Sequence, residues 1–144
     1  MADVVSVDDV ALNKLAAIER CVRRIAEVYA GDDRNLRADL TRQDSIILNI
    51  QRAAESAIDL AMHLVRREKL GIPQDSRDAF SLLVQRSGLD PELGVRLQRM
   101  VGFRNVAVHD YQAVNLEIVR QIILHHLDDL VSFGRWGLAR SQVT

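Results

Sequence analysis

The chain has 144 residues, 48% of them hydrophobic, which is the size of one domain and enough apolar side chain to close a core. Its 19 Lys and Arg against 20 Asp and Glu sum to −1, so a uniformly basic coat for nucleic acid is excluded and any polyanion site must be focused. Aromatic residues at 4%, 7 Gly and 2 Pro disfavour sandwiches, barrels and Pro-rich linkers, the lone Cys21 offers no internal disulfide, and no charge-free run reaches membrane-spanning length. A single domain over residues 1–144, cytoplasmic and with no membrane association, is therefore expected.

The first predicted helix opens at Ser6 with Asp9 three residues on, a pairing that satisfies orphan backbone N–H groups and favours the helix dipole. It carries Val10, Leu12, Leu15, Ile18, Val22, Ile25 and Tyr29 at three- and four-residue steps, with Gly31 as its stop. The stretch from Gly31 to Leu40 is the one connection with room for disorder. From Thr41, capped with Asp44, the apolar positions Ile47, Ile50, Ala54, Ala57, Ile58, Ala61, Leu64 and Val65 continue to Leu70, before Gly71 and Pro73. That makes a long helix of roughly 28 residues.

Asp75 and Asp78 open a shorter helix over 76–87, with Ala79, Leu82 and Leu83 inward and Gly88 closing it. Asp90 caps the next, with Pro91 and Glu92 in its first turn and Leu93, Leu97, Met100 and Val101 on its buried face. Periodicity fails over Ala107–Val114. The last helix begins near Asn115, repeats through Leu116, Val119, Ile122, Ile123, His126, Leu127 and Leu130, and fades into a fraying tail near Gly134 and Gly137. No alternating run marks a strand, so the expected fold is all-α, about 70% helix, an antiparallel up-and-down bundle of four main helices plus a short one.

Of the 19 basic residues 17 are Arg, a skew that suits bidentate phosphate recognition and buried ion pairing but that codon bias alone accounts for. The segment Arg104-Asn105-Val106-Ala107-Val108-His109-Asp110-Tyr111 sets polar side chains among apolar ones where periodicity is lost. An imidazole moves protons near neutral pH and a guanidinium neutralises charge developing on phosphoryl oxygens, which together suit phosphodiester cleavage without a metal. In RNA the neighbouring 2′-hydroxyl supplies the nucleophile and a cyclic phosphate end results. In a regular helix His109 lies about 140° around from Arg104, so the chain must unwind for both to reach one phosphate, and Val106 and Val108 make unwinding cheap. On chemistry alone the pair could as well cap a helix or be satisfied in a core.

Those eight residues resemble the R-x4-H-x-Y motif of HepT toxins, within the HEPN superfamily of helical ribonucleases. The resemblance implies a HEPN-like bundle and a metal-independent endoribonuclease with Arg104 and His109 as its catalytic pair and Asn105 as a polar accessory. It also implies a homodimer whose two motifs face each other across a two-fold axis in one composite cleft, and no cofactor. It further implies a nucleotidyltransferase antitoxin of the MNT class that silences the toxin by transferring AMP to Tyr111. The added bulk and negative charge would exclude the RNA phosphate from Arg104. A non-catalytic helical binding subunit of a nucleotidyltransferase complex would share the bundle and needs no proton-transfer residue.

Arg96 and Arg99, close to the motif, are the candidates for contacts to flanking RNA phosphates. Arg20, Arg23 and Arg24, with Arg66, Arg67 and Lys69, read as solvated helix surface. His63, His125 and His126 raise a metal site, with His125 and Asp129 at helical spacing. No His has another four residues on and Cys21 is isolated, so no zinc site is expected. Glycine-rich phosphate loops are absent from the sequence.

Overall fold

The structure, a computed structural model, describes residues 7–142. Seven helices and one 3-10 turn make up the secondary structure of the described residues: α1 (Asp9–Tyr29), α2 (Arg34–Arg37), α3 (Leu40–Arg67), α4 (Ser76–Ser87), α5 (Pro91–His109), the 3-10 turn Tyr111–Ala113, α6 (Leu116–His125) and α7 (Leu127–Ser141). The expected all-α bundle is what forms. Within it, α3 packs against α1, α4, α5 and α7, and its Ile47, Ile50, Ala54, Ala57, Ile58, Ala61, Leu64 and Val65 are all buried. An ion pair and a hydrogen bond fix its direction relative to α1. Lys14 meets Asp59 at 3.0 Å while Arg42 donates to the Val28 carbonyl at 2.9 Å, so α1 and α3 run antiparallel.

Aspartates start four of the main helices, though not always those expected. Asp8 caps α1 by accepting from the Ala11 N–H at 3.1 Å; Ser6 lies outside the described residues. Asp39, rather than Thr41, caps α3 through the Arg42 N–H at 3.1 Å, which leaves Asp44 one turn inside the helix with its carboxylate free for another partner. Asp75 caps α4 as expected, accepting from the Asp78 N–H at 2.8 Å, while Asp78 reaches back one residue further, to the Gln74 N–H at 2.9 Å. Asp90 accepts from the Leu93 N–H at 3.0 Å with Pro91 in the first turn of α5.

Four readings are corrected by packing. Val10 and Leu12 are exposed, and Ala11 takes the inward position of the first turn of α1. The Gly31–Leu40 connection is ordered by α2, whose Leu36 is fully buried. The final helix is two: His126, at φ −125 and ψ −4, interrupts it, and α7 restarts at Leu127 with Asp128 and Asp129 in its first turn. Nor does the tail fray at its glycines. Gly134 and Gly137 are buried, and a Cβ on either would stand 2.8 Å from Leu15 or Leu60, so they are where α7 approaches α1 and α3 closely.

Candidate functional site

Helix α5 does not unwind between Arg104 and His109. It stays helical to His109, and the Asp110 N–H still donates to the Val106 carbonyl at 2.8 Å. The unwinding expected of a single-chain site is therefore absent, and helical geometry turns the two side chains about 140° apart. Val106 and Val108 remain in the helix as exposed apolar side chains.

Arg104 turns toward α3 and the start of α4. Its Nε donates to Asn105 Oδ1 at 2.9 Å, Nη2 to Ser76 Oγ at 3.5 Å, and Nη1 lies 3.8 Å from Glu55 Oε2. Its side chain keeps 21% exposure, enough for the guanidinium edge to meet a ligand while its stem is packed. Asn105 thus belongs to the arginine's own support. Met62, Asp75, Ser76, Arg77 and Val101 close a cleft of about 310 Å³ around the pair.

His109, the last residue of α5, is exposed and has no hydrogen bond or ion pair within the described residues. The chain then turns at Asp110 and winds into the 3-10 turn, where the Ala113 N–H donates to the Asp110 carbonyl at 2.9 Å. Tyr111 opens that turn, 39% exposed, and its hydroxyl donates to Asp44 Oδ1 across to α3. Partial burial together with this carboxylate pushes the phenol up to about 12.

The α3 carboxylates form a register. Glu55 holds Arg104 and Asp44 holds Tyr111, and eleven residues separate the two on α3, which is three turns and about 16 Å along one face. As the numbers rise along α5 they fall along α3, so the helices run antiparallel here. Sequence reading missed Asp44, Glu55 and Ser76 as site residues. Its available signal was the polar stripe Asp44, Gln51, Glu55 at seven- and four-residue steps on a helix otherwise rich in apolar residues.

Arg96 and Arg99 part ways. Arg96 Nε donates to Asp129 Oδ2 at 3.1 Å, and that same oxygen lies 3.1 Å from His126 Nδ1, so Arg96 is engaged in an ion pair instead of standing free. Arg99 is exposed and has no such partner within the described residues. Both border an apolar groove between α5 and α6, about 210 Å³, floored by Met100, Phe103, Ile118 and Ile122. A second apolar cleft of about 400 Å³ continues it through Val106, Val114 and Ile118.

Two of the other histidines, His63 and His126, have carboxylate partners. His63 Nε2 meets Asp8 Oδ2, which also takes Arg67 Nη1 at 3.2 Å, and it is His126, not His125, that reaches Asp129 because the helix breaks between them. Arg67 is thereby drawn out of the solvated cluster. Arg20, Arg24 and Arg52 border a polar groove between α1 and α3 above the buried Cys21, whose thiol is pushed up by burial against the pull of Arg20 and Arg52.

A family model described as Ribonuclease HepT-like matches residues 18–135. The chain is 50% identical over 126 residues to the mRNA nuclease HepT of Shewanella oneidensis, which covers 88% of this chain and 94% of that protein. Among solved structures it is similar to a toxin–antitoxin with AMP-PNP, at 48% identity and a TM-score of 0.84, covering 90% of this chain and 98% of the other. It is similar as well to a tri-AMPylated Shewanella oneidensis HEPN toxin in complex with MNT antitoxin, at 49% identity and a TM-score of 0.83, covering 89% and 96%.

Proposed function

Because this chain belongs to the HepT-like ribonuclease family, we propose that it is an endoribonuclease toxin that cuts RNA through Arg104 and His109 and is neutralised when an MNT-class nucleotidyltransferase transfers AMP to Tyr111. The observation that carries this is the Arg104-x4-His109-x-Tyr111 pattern at the open end of α5, with a supported guanidinium, an unencumbered imidazole and a surface phenol within eight residues.

His109 takes the 2′-hydroxyl proton, the oxygen attacks the adjacent phosphorus, and Arg104 offsets the charge that grows on the phosphoryl oxygens. The 5′-oxygen leaves and a 2′,3′-cyclic phosphate remains; the chemistry asks for no metal. One chain turns its Arg104 and His109 apart, so the competent unit is a homodimer. The apolar groove of Met100, Phe103 and Ile118 beside exposed Val106 supports a second copy packing at α5 and α6, where two His109 can divide the roles of base and acid. Arg99 on that rim is suited to a flanking phosphate.

AMP on Tyr111 adds bulk and negative charge at the end of the same helix and repels the RNA backbone. The test compares wild type, Arg104→Ala and His109→Ala on RNA in EDTA. Cutting by wild type alone, with cyclic phosphate ends, is the expected result; equal cutting by all three ends the catalytic assignment.

A further inference from the structure

The reaction that silences the toxin needs something on the acceptor side that the motif itself does not provide. A phenol held up to about 12 is protonated at neutral pH, and its oxygen becomes a competent nucleophile only as its proton is removed. Three titratable side chains are candidates to take that proton: His109 and Asp110, near neighbours of Tyr111 in the chain, and Asp44, brought to it from α3. Neither His109 nor Asp110 makes a hydrogen bond to the hydroxyl, whereas Asp44 Oδ1 accepts it directly. The hydroxyl is also presented for reaction, on an exposed ring whose backbone is pinned by the 3-10 turn, with Val114 N–H donating to the Tyr111 carbonyl at 3.1 Å. Asp44 has no other task there, since Asp39 caps the helix.

We propose that Asp44 is a catalytic residue of the AMP-transfer reaction, the base that accepts the Tyr111 hydroxyl proton; this rests on the assignment of Tyr111 as the AMP acceptor. The nucleotide is ATP, carried by the transferase. Tyr111 Oη forms a bond to the α-phosphorus while the bond from that phosphorus to the α–β bridging oxygen breaks. Pyrophosphate leaves with that electron pair, and the phenolic proton passes to the Asp44 carboxylate, which returns it to water. The product lacks the donor that tied Tyr111 to Asp44 and carries a phosphodiester anion beside a carboxylate. Repulsion then swings the modified ring off α3, which frees it to lie across the end of α5. Any AMP beyond the first must attach to the AMP already present, because the phenol has one oxygen, so only the first addition uses Asp44.

The experiment incubates the purified chain with an MNT-class transferase and Mg-ATP and follows intact mass in time for wild type, Asp44→Asn, Asp44→Glu and Tyr111→Phe. Wild type gains AMP-sized steps and Tyr111→Phe gains none. Asp44→Asn, near-isosteric at an exposed position, is expected to slow the first addition roughly 10- to 100-fold with KM for ATP unchanged, and Asp44→Glu to recover part of the loss. Conversion of singly to multiply modified chain keeps its wild-type rate. First addition to Asp44→Asn at the wild-type rate overturns the role of Asp44 while leaving Tyr111 as acceptor. No mass gain in wild type overturns both.

Discussion

Arg104 reaches the surface past three oxygen acceptors, of which Asn105 is the nearest and Glu55 the farthest. A phosphate arriving at its open edge competes with Glu55 at 3.8 Å, the weakest of the three contacts, and leaves the Asn105 bond intact. Arg104→Ala is expected to lower the RNA cleavage rate on the order of 100- to 1000-fold, and His109→Ala by 100-fold or more, both read from single-turnover kinetics. Asp8 carries a different burden. Burial alone would raise its carboxyl, but the His63 hydrogen bond, the Ala11 N–H and the charges of His63 and Arg67 outweigh that and leave it below its ordinary value of 3.8. A folded-state value below the unfolded one means stability present above the unfolded value and lost as pH falls through the folded one. Asp8→Ala is expected to cost about 1–3 kcal/mol near neutral pH, from a lost cap and two stranded partners. Thermal melts at descending pH should show the gap to wild type closing only below about pH 4. At this scale the sequence made Arg104, His109 and Tyr111 legible because they are neighbours in the chain. Asp44 and Glu55 were not legible as their partners, because they lie 67 and 49 positions away and only the packing of α5 and the turn after it against α3 brings them together.

Among the helices, starts and stops that depend on adjacent residues could be read directly: Asp75 and Asp90 cap as expected, and Gly88 ends α4 in the left-handed region at φ 82. Long-range packing decided the rest. Leu116–Leu130 keeps one apolar face through the interruption at His126, so periodicity alone shows a single helix. Glycine likewise has two meanings in a helix, a weak point or a close approach, and only the neighbours distinguish them. At Gly137 an added methyl would lie within 3.2 Å of Leu60 Cγ and Leu64 Cδ1 as well as 2.8 Å from Leu60 Cδ2, all on fully buried side chains. Gly137→Ala gains up to about 1 kcal/mol of helix propensity and loses about 1–3 to overpacking. A lowered melting temperature is the expected outcome, and a raised one would show that Leu60 can move aside.

For the whole molecule, the net charge of −1 and the apolar groove at α5 and α6 are the features the proposed homodimer would use, a local anion site and an open apolar face for a second copy. Val106→Glu and Ile118→Glu place unpaired carboxylates on that face. Light scattering should report monomers for either variant, and RNA cleavage should fall with the dimer even though Arg104 and His109 are untouched. A dimer that survives both substitutions would move the interface elsewhere. Among the described residues no helix is long and apolar enough to cross a membrane.

The continuity of α5 through His109 reaches into how toxicity depends on abundance. If the homodimer proposed above is the competent unit, a rigid helix that turns Arg104 and His109 apart leaves an isolated copy inactive, and the active species rises with the square of copy number until pairing saturates. Slow basal synthesis would then be tolerated, while a burst of expression, or loss of the neutralising enzyme, would take the cell across a steep threshold.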